Sequence, residues 1–305
     1  MEHGLGDFKY GLVLANDIID EEKSLKLSEE TAPYTDATKL GITAVMRPGT
    51  TIIRKTKNIT GKIIIADFKV ADIGHRNKEN KWEGTNNKIV GELVSAGADY
   101  VICHTIIGTS SIQECVDTAH AQGGKILTLP YMTHKGAGLF FDLPVPVDDP
   151  EYKKMLIDSG LENVWEELDT LRLEKPLDIK KAARYHEEMG HNWRLPYVSV
   201  SDAIILIGEE IGVDGYIGPA NNPAVLKDYR MLSEIRNVLT PGIGRQSSKP
   251  EEEQFKDVFG ILGPTSAAII GSTIYKAEKP AEAAANYRAM RDRVAKALDE
   301  ISEGC

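Results

Sequence analysis

The chain has 305 residues, of which 42% are hydrophobic and 27% charged, a composition typical of a folded globular domain and unlike that of disordered or fibrous chains. It contains no recognisable secretory signal and no run of about 18 apolar residues, which predicts a cytoplasmic protein without a membrane span. The formal charge of −10 argues against nucleic acid as a partner, because binding a phosphate backbone requires a basic surface.

Eight short apolar runs, separated by polar segments of helical character, follow one another along the chain. Near-continuous apolar strands are typical of a parallel sheet that is buried on both faces. Eight of them predict a (β/α)8 TIM barrel as one domain of residues 1–305, with a doubly wound open sheet as the alternative. The predicted strands cover residues 11–15, 37–40, 62–66, 99–103, 125–129, 214–217, 235–239 and 267–270.

Two segments interrupt the regular spacing of these strands. Residues 74–84, GHRNKENKWEG, are polar and bounded by glycines, which predicts an extended loop after the third strand. Residues 143–200 contain helix-like sequence at 161–173 and 179–189, followed by an aromatic stretch at 191–194. We therefore expect a mostly helical insertion between the fifth and sixth strands.

The three cysteines, Cys103, Cys115 and Cys305, are far apart and show no CxxC spacing. This pattern indicates free thiols, and neither a disulfide framework nor a zinc site is expected.

Charged and polar residues lie at the ends of the first four predicted strands: Asp17, Lys39, Asp67 with Lys69, and His104. Catalytic groups of α/β barrels lie at the carboxyl ends of the strands. Each of these residues alone could be an ordinary polar strand end. Together they favour an active site at this edge of the barrel.

The densest cluster of charge is in IIADFKVADI, residues 64–73, which places Asp67, Lys69 and Asp72 within six residues after a buried strand. An ion-pair network that only holds a loop is the structural alternative. Burying like charges costs free energy, however, and such clusters are retained mainly where a shifted protonation state serves the chemistry.

IIADFKVADI closely resembles the signature of the orotidine 5′-monophosphate decarboxylase family, and further motifs of that family follow in the same order. Asp17 in LVLANDI and Lys39 in ATKLG resemble its first-strand aspartate and second-strand lysine. YMTHKGA resembles the loop that meets the pyrimidine, with Thr133 where a serine is common. YIGPA, which includes Pro219, and TPGIGRQ, which includes Gln246, resemble the last two loops, the second of which grips the phosphate.

The resemblance implies a homodimeric decarboxylase without a cofactor, which converts orotidine 5′-monophosphate into uridine 5′-monophosphate in de novo pyrimidine biosynthesis. Lys69 would protonate C6 of the pyrimidine after carbon dioxide leaves, and Asp67 would face the substrate carboxylate. Asp72 would come from the neighbouring subunit. A fixed ammonium suits this chemistry, because departure of carbon dioxide leaves negative charge on C6.

The resemblance also implies how the rest of the substrate is bound. Asp17 and Lys39 would hold the ribose hydroxyls and complete a network of alternating charges. Ile73 and Thr85 would reach the partner's active site.

One position departs from the family's pattern. After the eighth strand the family has a glycine and then an arginine that pairs with the phosphate, whereas this chain has Gly271 and Ser272. A serine hydroxyl and backbone amides can bind phosphate but lack the charged fork of a guanidinium. Arg245, beside Gln246 in the preceding loop, is the candidate replacement, and the alternative is that Arg245 is an exposed loop charge.

Two other functions compete with this interpretation. A sugar-phosphate decarboxylase or aldolase of the same superfamily shares the D-x-K-x-x-D core but works through a magnesium-bound enediolate and needs an acidic ligand on an earlier strand, where this chain has Lys39. A non-catalytic nucleotide-binding barrel is suggested by Ser272 and by the large insertion. The complete set of charged residues argues against that second alternative.

Overall fold

A computed structural model describes residues 7–146, 197–233, 237–244 and 248–303. Its strands are β1 (Gly11–Asn16), β2 (Ala37–Gly41), β3 (Ile63–Val70), β4 (Tyr100–His104), β5 (Lys125–Leu129), β6 (Pro144–Pro146), β7 (Tyr197–Ser199), β8 (Gly215–Ile217), β9 (Val238–Pro241) and β10 (Ser266–Ile270). Its helices are α1 (Glu21–Thr31), α2 (Ile42–Met46), α3 (Thr51–Thr60), α4 (Thr85–Ser95), α5 (Thr109–His120), α6 (Gly138–Phe141), α7 (Val200–Ile211), α8 (Pro223–Leu232), α9 (Glu251–Leu262), α10 (Ser272–Tyr275) and α11 (Pro280–Glu303). Within these ranges, every helix is too short or too polar to span a bilayer.

Eight of the strands close into a barrel in the order β1-β10-β9-β8-β5-β4-β3-β2, with every neighbouring pair parallel. The predicted (β/α)8 barrel is thus confirmed, and the open sheet is wrong. Each of the eight apolar runs coincides with a barrel strand, although residues 235 and 236 of the seventh run lie outside the described residues. The third strand continues to Val70, beyond its predicted end at residue 66.

Side chains on each barrel strand alternate between two cores. Along β1, Val13 and Ala15 belong to the core inside the barrel, whereas Leu12 and Leu14 pack under the surrounding helices. Inside the barrel, Tyr100 and Ile65 are fully buried. This alternation explains why the strand sequences are apolar throughout, because both faces of the sheet are covered.

Both insertions have a short antiparallel element where the structure describes them. Residues 74–84 form a small hairpin, in which Arg76 pairs with Trp82 and its guanidinium lies 3.7 Å from the centre of the indole ring. At the base of the second insertion, β6 pairs with β7 outside the barrel. The predicted helical segments at 161–173 and 179–189, and the aromatic stretch at 191–194, lie outside the described residues.

Three aspartates at the amino ends of the strands join neighbouring strands by the same contact. Each lies directly before a strand and accepts a hydrogen bond from the backbone N–H of the second residue in the strand beside it. The pairs are Leu12 with Asp36, Ile64 with Asp99, and Ile126 with Asp214, each at 2.8 Å. Because these contacts are at the end opposite to the predicted active site, we expect them to contribute to stability.

Asp99→Ala is expected to lower the free energy of unfolding by about 1–3 kcal/mol, since it leaves the Ile64 N–H unpaired and removes the 2.6 Å ion pair with Lys57. Urea unfolding at pH 7 measures this loss. Glu300→Ala is the control, because it removes the exposed 3.8 Å pair with Lys296 and should cost less than about 1 kcal/mol. Equal losses in the two variants would contradict a bracing role for Asp99.

Candidate active site

A pocket of about 290 Å³ opens at the carboxyl ends of the barrel strands. Its wall combines the charged side chains Asp17, Lys39, Asp67 and Lys69 with apolar residues from the inside of the barrel. This is the end of the barrel at which α/β barrel enzymes carry their active sites.

The Asp67 carboxylate lies between two lysine ammonium groups. Lys39 Nζ is 2.5 Å from one carboxylate oxygen, and Lys69 Nζ is 2.7 Å from the other. The side chains of Lys39 and Asp67 are only 8% and 11% exposed, whereas that of Lys69 is 42% exposed and faces the pocket. Asp67 therefore holds one buried and one accessible cation.

The electrostatic environment of Asp67 favours the ionised carboxylate. Burial has the largest single effect and by itself raises the pKa, but the charges and hydrogen bonds of Lys39 and Lys69 together outweigh it and leave the Asp67 pKa below its ordinary value. The carboxylate is therefore negative at neutral pH.

A bulge in β3 directs both Asp67 and Lys69 towards the pocket. Ala66 pairs with Val101 on β4 but Val70 pairs with Cys103, so β3 carries two more residues than its partner over this stretch. Lys69 has a φ of 46°, a left-handed conformation that costs a non-glycine residue about 1 kcal/mol or more. Backbone strain of this kind is concentrated at functional sites.

Asp17 is placed by close contact with the neighbouring strand. A Cβ atom at Gly41, the last residue of β2, would lie 2.0 Å from Asp17 Oδ1, so only glycine leaves room for the carboxylate. On the other side, the fully buried Asn16 donates hydrogen bonds to Ser24 and Ser28 of α1. The first loop is thereby fixed with Asp17 at the pocket.

Comparison with known proteins finds similarity to one family of enzymes. A family model described as "Orotidine 5'-phosphate decarboxylase / HUMPS family" matches residues 11–156. The chain is 29% identical to the orotidine 5′-phosphate decarboxylase of Methanococcus maripaludis strain S2 over 283 residues, which are 93% of this chain and 98% of that protein. The chain is therefore similar to orotidine 5′-phosphate decarboxylases over nine-tenths of its length.

Solved structures of this family have the same fold. The orotidine 5′-monophosphate decarboxylase of Methanocaldococcus jannaschii, complexed with the inhibitor BMP, superposes with a TM-score of 0.64 at 26% identity and covers 92% of this chain and 98% of its own. The Pyrococcus horikoshii enzyme gives 0.59 at 27% identity, with 93% and 98% covered.

The structure brings some of the predicted site residues together and separates others. Besides the four charged residues, the pocket is lined by Thr133, Gly271 and Ser272. Pro219 is buried after β8 and does not line it. Arg245 and Gln246 lie outside the described residues.

Three further predicted residues lie away from the pocket of their own barrel. Asp72 and Ile73 follow β3, and Thr85 begins α4. All three are exposed, Ile73 to 73%.

Apolar wall residues were missed by the sequence interpretation. Ile102, Leu129, Ile217 and Ile269 lie at or near the carboxyl ends of their strands and line the pocket. Their inward position could have been inferred from the alternation along each strand. Together they place a low-polarity surface beside the charged cluster, which strengthens electrostatic interactions there.

His104, at the end of β4, does not line this pocket. Its ring is half-buried and stacks on Phe141 with ring centroids 6.3 Å apart. Burial and, secondly, the positive charge of Lys69 lower its pKa, so the imidazole is neutral at pH 7.

Lys39→Met is expected to raise the pKa of Asp67, because burial would then be opposed by one ammonium group instead of two. ¹³C NMR of the carboxyl group measures this pKa directly. In the unmodified chain the pKa of Asp67 is lower in the folded than in the unfolded state. The stabilisation from the charged cluster is therefore fully present above the pKa of an unfolded aspartate, about 4, and is lost as pH falls through the pKa of Asp67 in the folded state. Lys125→Met, at the opposite end of the barrel, is the control, and an unchanged Asp67 pKa in Lys39→Met would contradict the two-lysine arrangement.

Proposed function

We propose that this chain decarboxylates orotidine 5′-monophosphate to uridine 5′-monophosphate in pyrimidine biosynthesis. The observation that carries the proposal is the Asp67 carboxylate held between Lys39 and Lys69 at the floor of an open pocket. Relatives named for this reaction match nine-tenths of the chain, and the charged cluster provides the groups that the reaction requires.

The chemical step needs a cation at C6 of the pyrimidine. When the C6–carboxylate bond breaks, carbon dioxide leaves as a neutral molecule and the bonding electron pair stays on C6. The Lys69 ammonium, the accessible member of the cluster, would stabilise this carbanion and then donate its proton to C6, giving the product and a neutral amine that regains a proton from water. Because the ammonium matches the charge of the transition state better than that of the substrate, it lowers the barrier.

Asp67 has two roles in this scheme. Its hydrogen bond fixes the Lys69 ammonium at the pocket surface, and Lys39 holds its other oxygen. A substrate carboxylate placed against Asp67 would also be repelled, and its loss as carbon dioxide would relieve that repulsion. We rank the stabilisation of the carbanion by Lys69 first.

The remaining substrate contacts follow the shape of the pocket. Asp17 and Lys39 would bind the ribose hydroxyls, while Thr133 would meet the pyrimidine beside the Pro219 loop. Backbone amides at Gly271 and the Ser272 hydroxyl would face the phosphate.

We also propose that the enzyme is a homodimer in which Asp72, Ile73 and Thr85 of one subunit complete the site of the other. These residues are exposed after β3, where they can meet a second subunit. Apolar side chains after the neighbouring strands are exposed as well. They are Ile42 and Met46 after β2, and Ile106 after β4. Apolar residues clustered on one side of a monomer are typical of an interface.

Lys69→Ala is expected to reduce turnover of orotidine 5′-monophosphate by at least about a thousandfold, because it removes the proposed stabilising cation and proton donor. The decrease in pyrimidine absorbance measures the rate, and circular dichroism checks that the fold is kept. Lys276→Ala removes an exposed lysine after α10 and is the control. Substantial activity in folded Lys69→Ala would contradict the mechanism, and absence of turnover by the unmodified protein would favour a non-catalytic barrel.

Arg245→Ala is expected to weaken nucleotide binding by roughly tenfold to a hundredfold, or about 1.5–3 kcal/mol, since a dianion beside Ser272 needs another cationic partner. β9 pairs with β10, and the first residues after β9, Gly242 and Ile243, line the same pocket as Ser272. Titration with uridine 5′-monophosphate and with uridine separates the phosphate contribution, and the uridine affinity should change little.

Equal losses of affinity for the nucleotide and for the nucleoside would mean that Arg245 acts on folding or on the order of its loop. An unchanged nucleotide affinity would make it an exposed loop charge. Lys256→Ala, which removes an exposed charge from α9, is the control, and Ser272→Arg should rescue Arg245→Ala if the two loops meet one phosphate.

A further inference from the structure

Buried polar side chains of α4 and α5 make hydrogen bonds to the backbone of the loop that follows β3. This loop carries Asp72 and Ile73 and continues through the hairpin of residues 74–84 to Thr85. Its own side chains are largely exposed, so its position depends on these contacts to its backbone.

Asn86 holds the backbone of Asp72 from both sides. Its amide oxygen accepts a hydrogen bond from the Asp72 N–H at 3.1 Å, and its amide nitrogen donates to the Asp72 carbonyl at 2.7 Å. The side chain is fully buried and also donates to the Ser111 carbonyl on α5 at 3.4 Å. A buried amide with these partners fixes Asp72 against both helices.

Glu114 of α5 holds the last residue of the hairpin. Its carboxylate accepts a hydrogen bond from the Gly84 N–H at 2.8 Å. The residue is fully buried. A Cβ atom at Gly84 would lie 2.6 Å from one carboxylate oxygen, so glycine is required for this approach.

Ser111 adds a third contact at the start of the hairpin. Its hydroxyl accepts a hydrogen bond from the Gly74 N–H at 2.7 Å. The backbone is thus held at residues 72, 74 and 84 by side chains that do not themselves reach the pocket.

We infer that Asn86 and Glu114 are positioning residues that set Asp72 in the active site of the partner subunit; the inference rests on the proposed shared-site decarboxylase. A carboxylate displaced by about 1 Å can cost a reaction about a hundredfold in rate. Asp72 is exposed on its own subunit, so the backbone anchor determines where its carboxylate meets Lys69 across the interface. Neither Asn86 nor Glu114 touches substrate.

The test uses full-length dimers and orotidine 5′-monophosphate. Asn86→Ala is expected to lower kcat by about tenfold to a hundredfold, with little change in KM, because the chemical step loses alignment while the pocket of the same barrel is intact. Asn87→Ala is the matched control. Asn87 is the next residue of α4 and also bonds to α5, at Thr118 with 2.9 Å, but it does not contact the loop, and kcat should stay unchanged.

Mixed dimers give the readout that a purely structural role would not produce. In a heterodimer of Asn86→Ala with Lys69→Ala, one site combines an intact Lys69 with the intact loop of the other subunit, so activity should return for one of the two sites. Two Asn86→Ala subunits have no such site. If Asn86→Ala does not fold, Glu114→Ala, which removes the acceptor of the Gly84 N–H, should show the same rescue with a smaller loss.

Two results would overturn the inference: a kcat unchanged in the folded variants, or a loss of kcat that the Lys69→Ala subunit does not rescue. The mixture of Lys69→Ala with Asp72→Ala subunits tests the shared active site itself. It therefore distinguishes failure of the proposed function from failure of the positioning role. Rescue there without rescue of Asn86→Ala rejects only the positioning role. If heterodimers form and neither mixture is active, the shared site is rejected as well, and the positioning role with it.

Discussion

The ion pairs of Asp67 with Lys39 and Lys69 are the interactions on which the rest of the site depends. One carboxylate bridges two ammonium groups in a largely buried position, and burial alone would disfavour its charge. Removing Asp67 would leave both ammonium groups without their counter-charge at the floor of the pocket. The bulge of β3 and the left-handed backbone at Lys69 are the local cost of directing Asp67 and Lys69 to the same side.

The two ends of the barrel differ in their effect on stability. The strained backbone of the charged cluster at the carboxyl ends of the strands costs free energy, whereas contacts at the amino ends stabilise the fold. At the amino ends of the strands, the repeated aspartate contacts tie β1 to β2, β3 to β4, and β5 to β8. At the carboxyl ends, β2 presents the buried Lys39, and β3 presents the accessible Lys69 on a strained backbone. Strain at a functional site is tolerated when the surrounding structure determines it completely, and the closed, largely apolar barrel provides that surrounding.

Much of the fold and of the charged cluster could be predicted from the sequence. The eight strands are recognisable because most of their residues are apolar, a consequence of burial on both faces. Asp17, Lys39, Asp67 and Lys69 follow from their positions at strand ends and from the ordered motifs, and the structure brings them to one pocket.

The remaining features depend on three-dimensional proximity that no local pattern encodes. Predicting the bulge that carries Lys69 would require the register between β3 and β4 to be known. The requirement for glycine at position 41 arises from Asp17, 24 residues earlier. Asn86 and Glu114 read as ordinary helix residues until the loop above them is seen. The apolar wall was overlooked because the interpretation favoured charged residues, although the strand alternation contains that information.

A crystal structure of the protein with bound uridine 5′-monophosphate is the most direct measurement of whether the Asp67 cluster is built around the reacting carbon. We expect Lys69 Nζ to lie within about 3–3.5 Å of C6, the distance of a reactive arrangement, with Asp67 bridging Lys39 and Lys69 beneath the pyrimidine. A nucleotide bound with C6 turned away from Lys69, or bound outside this pocket, would contradict the assignment of the cluster to decarboxylation.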